Sequence, residues 1–215
     1  MPSQITAPAI LFDFKHRFFG SIVDTPVQTA LFGFGTGVLA QLAVEATIWK
    51  GLTGKAGYYF SEREITIQTG YRHAFNRITA GSVQAGWYNY GANKRRSSYF
   101  VLGAFSMPLL ADRITPLVNL IWDGEMSRAG IGAAVTVAVT EPVDITVDYI
   151  PLVTGDNTEY MHVSVYGGGV IYKTYRHQFY LFVGNANAVT LPRVSRGARD
   201  YKPRIGFAIT RLFDF

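Results

Sequence analysis

Apolar and polar residues alternate along most of the chain with a period of two. Every second residue from 38 to 48 is apolar, whereas Gln41 and Glu45 lie between them. Successive side chains of a β-strand point to opposite faces, so this pattern predicts a strand with one apolar and one polar face. The segment 129–150 shows the same alternation on both sides of a Glu-Pro turn and predicts a β-hairpin.

The same alternation predicts twelve strands and places all residues, 1–215, in one domain. We expect strands at 9–19, 37–48, 53–62, 64–74, 81–91, 97–106, 113–123, 128–140, 142–152, 159–172, 175–185 and 202–214. A soluble β-sandwich also alternates, so alternation alone does not distinguish a sandwich from a barrel.

Three further features favour a barrel. Most predicted strands have ten or more residues, whereas soluble strands centre on about 5 to 6 and a tilted membrane-spanning strand needs about 9 to 11. Aromatic residues such as Trp87 and Trp122 recur near strand ends, as in interfacial girdles. With both termini periplasmic, the longest connections, 20–36 and 186–201, lie outside. The sequence predicts an all-β transmembrane antiparallel up-and-down β-barrel.

Composition agrees with a membrane barrel. The chain is 48% hydrophobic, 14% aromatic and 16% charged, whereas soluble domains carry about 25% charged residues and membrane helices need apolar runs of about 18 or more. There is no cysteine, which suits passage through the oxidising periplasm. We expect the bacterial outer membrane as location, with the signal peptide absent from this chain because no basic region precedes an apolar core at the start.

The last predicted strand has apolar residues at alternating positions and an aromatic terminus. Its alternating apolar residues are Ile205, Phe207, Ile209, Phe213 and Phe215. We expect Phe213 and Phe215 to act as the signal that the barrel assembly machinery binds. Arg211 interrupts the series and is expected at the periplasmic rim, where its head reaches water or phosphate.

Three short motifs occur in order along the chain: 16–18 (HRF), 176–180 (RHQFY) followed by Asn185, and 205–213 (IGFAITRLF). On these motifs the chain resembles a family of outer-membrane β-barrels of unknown function, found mainly in Bacteroidota. The resemblance implies fold and location and brings no activity with it. Ala208 departs from the family, in which an Asn is common at that place.

The histidines raise the questions of metal binding and catalysis. They are His16, His73, His162 and His177. No two of them have a ligand spacing on one strand face, so we expect no metal and no cofactor. His162 and Ser164 share a strand face, as a lipase-type pair would require. We expect that face to be lumenal, because Val163 and Val165 occupy the other, so lipid cannot reach it and no enzyme activity is expected.

Polar strand faces converge on the interior of a barrel. The expected lumen-lining residues are Lys15, Arg17, Gln41, Glu45, Gln68, Arg72, Asn119, Asp123, Asp144, Asp148, His162 and Gln178. Charges of both signs there either pair across a plugged lumen or form opposed walls of a small channel, and both arrangements stay open at this point.

The net charge of +5 and the pI near 9.4 point to an anionic partner. Basic residues at the predicted outer connections include Lys94, Arg95, Arg96, Arg193, Arg196, Arg199 and Lys202, and the candidates for contact with an anion are Lys94, Arg95, Arg96, Arg196 and Arg199. No stacking aromatics accompany them, so we expect lipopolysaccharide phosphates as their partner and no nucleic acid. A solvated loop is the simpler alternative.

Two functions follow from this picture. The first is a small porin or channel for small polar solutes, and the alternative is a non-conducting barrel that anchors or scaffolds an outer-membrane complex. Strand number does not decide, because twelve lies between side-chain-filled eight-stranded barrels and open porins of about 16 strands. Expected partners are outer-membrane lipid, lipopolysaccharide, the assembly machinery and other outer-membrane proteins. A soluble lipocalin-like binder would need the reverse arrangement of faces.

Overall fold

The computed structural model describes residues 9–18, 20–24, 38–61, 63–75, 79–90, 96–110, 112–151 and 163–214, which form twelve β-strands. The strands are β1 (Ala9–Phe18), β2 (Val38–Trp49), β3 (Leu52–Tyr59), β4 (Glu64–Ala74), β5 (Ala80–Tyr90), β6 (Arg96–Ser106), β7 (Ile114–Asp123), β8 (Arg128–Ala138), β9 (Val143–Ile150), β10 (Val165–Lys173), β11 (His177–Gly184) and β12 (Arg204–Asp214). Most bounds agree with the predicted ones within two residues. The largest difference is at β10, which was predicted from residue 159, and 159–162 lie outside the described residues.

Each strand pairs with its neighbours in the chain, and β12 pairs with β1 to close the barrel. All pairs are antiparallel, as up-and-down connections require. Closure leaves no edge strand, so the backbone groups of every strand find partners within the sheet. The predicted all-β, twelve-stranded antiparallel barrel is confirmed.

The alternation of the sequence becomes the two faces of the wall. Large apolar side chains on the exterior remain exposed, among them Ile67 at 55%, Val83 at 62% and Val147 at 56%. The interior holds polar groups together with apolar clusters, one of which lies on β5, β6 and β7. That cluster consists of Tyr88, Phe100, Leu102 and Ile121, with Tyr90 packed against it. An apolar exterior around a largely polar interior is the arrangement of a barrel surrounded by lipid.

Glycines on the interior face let large side chains lie flat against the wall. A Cβ at Gly86 would lie 2.5 Å from the ring of Phe100, its cross-strand partner on β6. A Cβ at Gly167 would lie 2.8 Å from Oδ1 of Asp148, its partner on β9. Because these positions carry no side chain, the ring and the carboxylate occupy the space beside the sheet instead of filling the centre of the barrel.

Connection lengths distinguish the two ends of the barrel. The end where both termini lie has short turns, of which the two-residue turn at Lys50 and Gly51 is the tightest. Both of these residues have positive φ angles, 30° and 92°, as type I′-like hairpin turns require. We call this the short-turn end. The opposite, long-loop end carries the connections 19–37, 151–164 and 185–203.

Helix contributes little to the described part of the chain. It comprises α1 (Leu191–Val194), a single turn within the 185–203 connection. Among the described residues, no helix has the length and apolar character needed to cross a membrane.

Candidate functional site at the long-loop end

The connection between β11 and β12, residues 185–203, folds back into the end of the barrel, and we call it the mouth segment. Thr190 and Ala198 are 2% and 0% exposed. Val189 packs with Leu39 and Tyr59 on one side of the wall. Ala186 and Ala198 pack with Val165 on the other side. The segment therefore lies across the mouth, in contact with both sides of the barrel wall.

Polar contacts fix both ends of the mouth segment. The fully buried Asn185 accepts a hydrogen bond from the backbone of Tyr166 at 2.8 Å and donates to the carbonyl of Asp200 at 3.0 Å. At the other end, Arg204 donates two hydrogen bonds of 3.0 Å to the carboxylate of Asp200. Gly197, with φ of 108°, reverses the chain after α1. The segment thus enters and leaves the mouth at defined places.

Arg193, in α1, makes the first ionic contact with the wall. Its Nε lies 2.6 Å from Oε2 of Glu64, the first residue of β4. Its guanidinium also lies over the ring of Tyr90, 4.4 Å from the centroid. Glu64 is 0% exposed, and a buried carboxylate is costly unless a cation pairs with it. The Arg193 side chain supplies that cation.

Arg196 makes a second and larger contact. Its Nε lies 2.6 Å from Oδ2 of Asp123, and its Nη2 lies 2.7 Å from Oε2 of Glu125. Nη2 also donates to the hydroxyl of Tyr88 at 2.8 Å, and that hydroxyl donates to Oδ1 of Asp123 at 2.8 Å. Charge-assisted bonds of this kind are about twice as strong as neutral ones. This network joins the middle of the segment to β5, β7 and the turn after β7.

The ionisation of these groups favours the closed arrangement at neutral pH. Burial opposes the charge of Arg196, but hydrogen bonds and charge attraction from Asp123 prevail and raise its pKa. Burial likewise opposes the charge of Glu125, and hydrogen bonds from Tyr90 and Arg196 overcome it and lower its pKa. Both partners are therefore charged near pH 7, and the pair holds the segment in the mouth.

The interior near the short-turn end is different, because some of its cationic side chains are accessible to solvent. Nη2 of Arg72 lies 3.6 Å from the carboxylate of Glu45, and Nζ of Lys173 lies 2.8 Å from that of Asp144. The carboxylates are largely buried, but the side chains of Arg72 and Lys173 are 48% and 34% exposed. Cationic side chains with such exposure inside the wall indicate a wet space. The lumen therefore combines a closed long-loop end with a solvent-accessible short-turn end.

The register places most of the predicted lumen residues on the interior face. They are Lys15, Arg17, Gln41, Glu45, Gln68, Arg72, Asn119, Asp123, Asp144, Asp148 and Gln178. Asp123 lies beneath the mouth segment, whereas Asp144 pairs with Lys173 at 2.8 Å nearer the short-turn end. His162 lies outside the described residues.

The prediction that Arg196 contacts lipopolysaccharide is wrong. Its side chain is 12% exposed and points at carboxylates of the wall rather than at an external phosphate. Arg193, a basic residue of the same predicted outer connection, also contacts a wall carboxylate and not an external anion. The sequence did contain an indication of these contacts. Glu64 and Asp123 are acidic residues on polar strand faces, and buried carboxylates inside a barrel need cations as partners.

The other residues expected to contact lipopolysaccharide are either exposed or outside the described residues. Arg199 is exposed, and the side chain of Arg96 is 71% exposed, so both can reach external anions. Lys94 and Arg95 lie outside the described residues. Of the expected assembly signal, Phe213 lies on the exterior face at 36% exposure, and Phe215 lies outside the described residues.

The face assigned to Ser164 is also corrected. Val165 is 2% exposed and packs inside against the mouth segment, so it does not face lipid as expected. Ser164 accepts a hydrogen bond of 3.1 Å from Tyr149, an exposed side chain of the exterior face. Side chains alternate there as expected, but the two faces are the reverse of the expected ones. The valines face the interior, where the mouth segment covers them, and Ser164 faces outward.

Residues 112–213, which cover β7 to β12 and the mouth segment, match the family described as "Membrane bound beta barrel domain (DUF5777)". This part of the chain is similar to that family. The barrel closes only when β1 to β6 complete it, so the chain forms a membrane-bound barrel together with them. The resemblance expected from the motifs is confirmed, and an origin in Bacteroidota stays a prediction.

Solved structures show the same fold at low sequence identity. The KdgM porin superposes with a TM-score of 0.61 at 10% identity, over 95% of this chain and 99% of the porin. The outer membrane phospholipase A from Escherichia coli gives 0.53 at 8% identity, over 95% and 92%. The NanC porin gives 0.50 at 8% identity, over 97% and 100%. No curated protein matches the chain. Porins and a phospholipase share this fold, so the fold alone does not assign the activity.

Proposed function

We propose that the chain is an outer-membrane channel for small polar solutes, with the mouth segment as its outer constriction. The observation that carries the proposal is the contrast along the lumen. The side chains of Arg72 and Lys173 are 48% and 34% exposed inside the wall near the short-turn end, whereas Asp123 is 2% exposed beneath the segment. A barrel filled by its own side chains would bury charges along its whole length.

The segment is held in a way that permits release. It forms no strand with the wall in the described residues, apart from one isolated bridge between Val163 and Ala198. Its firmest contacts are the pairs of Arg193 and Arg196 with wall carboxylates. The strands hydrogen-bond to one another without it, so the barrel can persist when the segment leaves.

Conductance in planar bilayers tests the proposal. We expect Arg193→Met together with Arg196→Met to raise single-channel conductance or open probability several-fold over wild type. Removing one partner of a buried pair costs about 3 to 5 kcal/mol, because the remaining carboxylates are left uncompensated. Arg199→Met is the matched control, since Arg199 belongs to the same segment but is exposed. Discrete current steps that are identical in all three proteins would contradict a constricting segment.

The non-conducting scaffold is the second candidate, and the closed mouth itself favours it. Asn185 and Ala198 are 0% exposed, so the segment fits the mouth closely. The same bilayer experiment separates the two functions. A scaffold gives no current steps from wild type or from the double arginine variant, whereas a channel gives steps from at least the double variant.

We propose the outer membrane as location, with the long-loop end outside and lipopolysaccharide phosphate near Arg96 and Arg199. The support is the exposure of both guanidinium groups at that end and the bidentate fit of guanidinium to phosphate. Replacing both residues with Ser should lower the midpoint salt concentration at which labelled lipopolysaccharide dissociates from the purified barrel. An unchanged midpoint would overturn this assignment.

A further inference from the structure

A cavity of about 170 Å³ lies inside the barrel beside the mouth segment. Lys15, Arg17, Asp148 and Tyr180 line it from the wall, and Ala186 lines it from the segment. None of these side chains takes part in the ion pairs that hold the segment. The cavity is therefore distinct from the contacts that hold the mouth segment in place.

Arg17 is fixed in this cavity with unused hydrogen-bonding capacity. Its Nη1 donates to the carbonyl oxygen of Ala186 at 2.6 Å. Its guanidinium lies over the ring of Phe182, 4.8 Å from the centroid. Its buried Nε finds no hydrogen-bond partner among the described residues. A guanidinium held in place with a free N–H suits an acceptor from a ligand, and its planar fork matches the geometry of a carboxylate.

The charge of the lining favours a ligand with a single negative charge. Lys15 and Arg17 are cationic and Asp148 is anionic, so the ionisable lining carries one net positive charge. Asp148 is also a hydrogen-bond acceptor, and the hydroxyl of Tyr180 is both donor and acceptor. Two such groups beside a cation suit hydroxyl groups on the same ligand.

The remaining wall is apolar and flat. The rings of Tyr180 and Phe182 lie 4.9 Å apart at 32°. Gly167 and Gly184 also line the cavity, where side chains would reduce its volume. Aromatic faces beside polar groups suit the C–H face of a compact ring. The volume is well below the range of about 300 to 1,000 Å³ for drug-sized sites, so one ring fits and a chain of rings does not.

We propose that this cavity binds a small hydroxylated carboxylate, a molecule of the size and polarity of a single sugar acid. Its carboxylate lies against Arg17 and Lys15, and its hydroxyls lie against Asp148 and Tyr180. The proposal deepens the channel function, on which it rests for the entry of the solute. It makes the cavity the place where the channel selects among polar solutes.

Isothermal titration of the full chain in detergent tests the proposal with three probes. D-glucuronate carries both features, D-glucose lacks the carboxylate and acetate lacks the hydroxyls. We expect saturable binding of glucuronate, with affinity at least ten-fold above that of either other probe. Equal affinities, or no saturation with glucuronate, would overturn the proposal. Binding is measured without a membrane, so its failure is distinct from the absence of current in bilayers.

Two variants and one control locate the site. Arg17→Lys retains the charge and loses the planar fork, and we expect at least ten-fold weaker glucuronate binding. Tyr180→Phe retains the ring, so glucuronate should weaken several-fold while acetate stays unchanged. Arg72→Gln removes an interior cation that does not line the cavity, and it should bind as wild type does. Loss of binding in Arg72→Gln equal to that in Arg17→Lys would show a general charge effect and overturn the site. Tyr180→Phe keeps the test decisive if Arg17→Lys does not fold.

Discussion

At the scale of single residues, the two faces of one strand should respond differently to the same substitution. Val147 is 56% exposed on the exterior face, and Thr146 beside it faces the interior, where its hydroxyl accepts a hydrogen bond from Thr136. Val147→Arg should cost about 2 to 4 kcal/mol of folding free energy if it lies near the bilayer midplane. Thr146→Arg places the same charge near Asp144 and Asp148 and should cost less.

Folding of both variants into lipid vesicles over a urea series measures the difference. Both variants introduce arginine at adjacent positions of β9, so the strand propensity of the new residue contributes equally to the two losses of folding free energy. Equal losses at the two positions would contradict a wall with one lipid-facing and one wet side.

Interior glycines give a second prediction at this scale. A Cβ at Gly86 would lie 2.5 Å from the Phe100 ring and 2.9 Å from Cβ of Gln68. Overpacking of this kind costs about 1 to 3 kcal/mol, so Gly86→Ala should lower the free energy of unfolding by that amount. Gly103→Ala is the control, because its Cβ would meet no described atom within 4 Å. A larger loss in Gly103→Ala than in Gly86→Ala would contradict the packing described here.

At the scale of elements, the contact between the turn after β7 and the mouth segment should weaken in acid, because it depends on the charge of Glu125. The pKa of Glu125 is lowered in the folded protein by its hydrogen bonds with Tyr90 and Arg196, which overcome the opposing effect of burial. Its contribution is therefore fully present above the ordinary pKa of about 4.3 and is lost as the pH falls through the lower, folded value. The part of the conductance that depends on Glu125 should therefore change only below about pH 4.3.

Glu125→Gln provides the control for this titration. Asp123 and Glu64 also hold the segment, so the variant should retain part of the acid response and should start from a higher conductance at pH 7. A difference in conductance between wild type and Glu125→Gln that disappears between pH 7 and 5 would contradict the lowered pKa of Glu125.

The strands were predictable from the sequence, whereas the mouth segment was not. Alternation is a local property, so β2 and the hairpin of β8 and β9 could be placed within a few residues. The position of Arg196 depends on its contact with Asp123, 73 residues away. No periodic signal connects two such residues. Basic loop residues were therefore assigned to the surface, and the exchange of faces at Val165 has the same origin.

At the scale of the whole molecule, Phe215 should matter more for assembly in cells than for folding in detergent. Deleting Phe215 removes at most one interfacial aromatic, and full burial of such a side chain is worth about 1.5 to 3 kcal/mol. Refolding into detergent should change little, because β1 and β12 pair along nine residue pairs without it. Insertion in cells should fall strongly, since assembly competes there with proteolysis. A normal cellular yield would show that Phe215 is not a recognition signal.

If the mouth segment controls passage through the lumen, a reversible covalent lock on the segment should change the current. The chain has no cysteine, and a Cβ at Gly130 of β8 would lie 3.5 Å from Cβ of Ser195 in the segment. This separation falls within the disulfide range of about 3.5 to 4.5 Å. Gly130→Cys with Ser195→Cys should therefore fix the segment to the wall when oxidised.

The measurement is single-channel current of this double-cysteine protein before and after a reductant is added to the same bilayer. We expect rare or small current steps while the disulfide is closed and a several-fold increase after reduction, with no change in the single-cysteine controls. Currents that are the same before and after reduction would contradict the claim that the mouth segment controls the lumen.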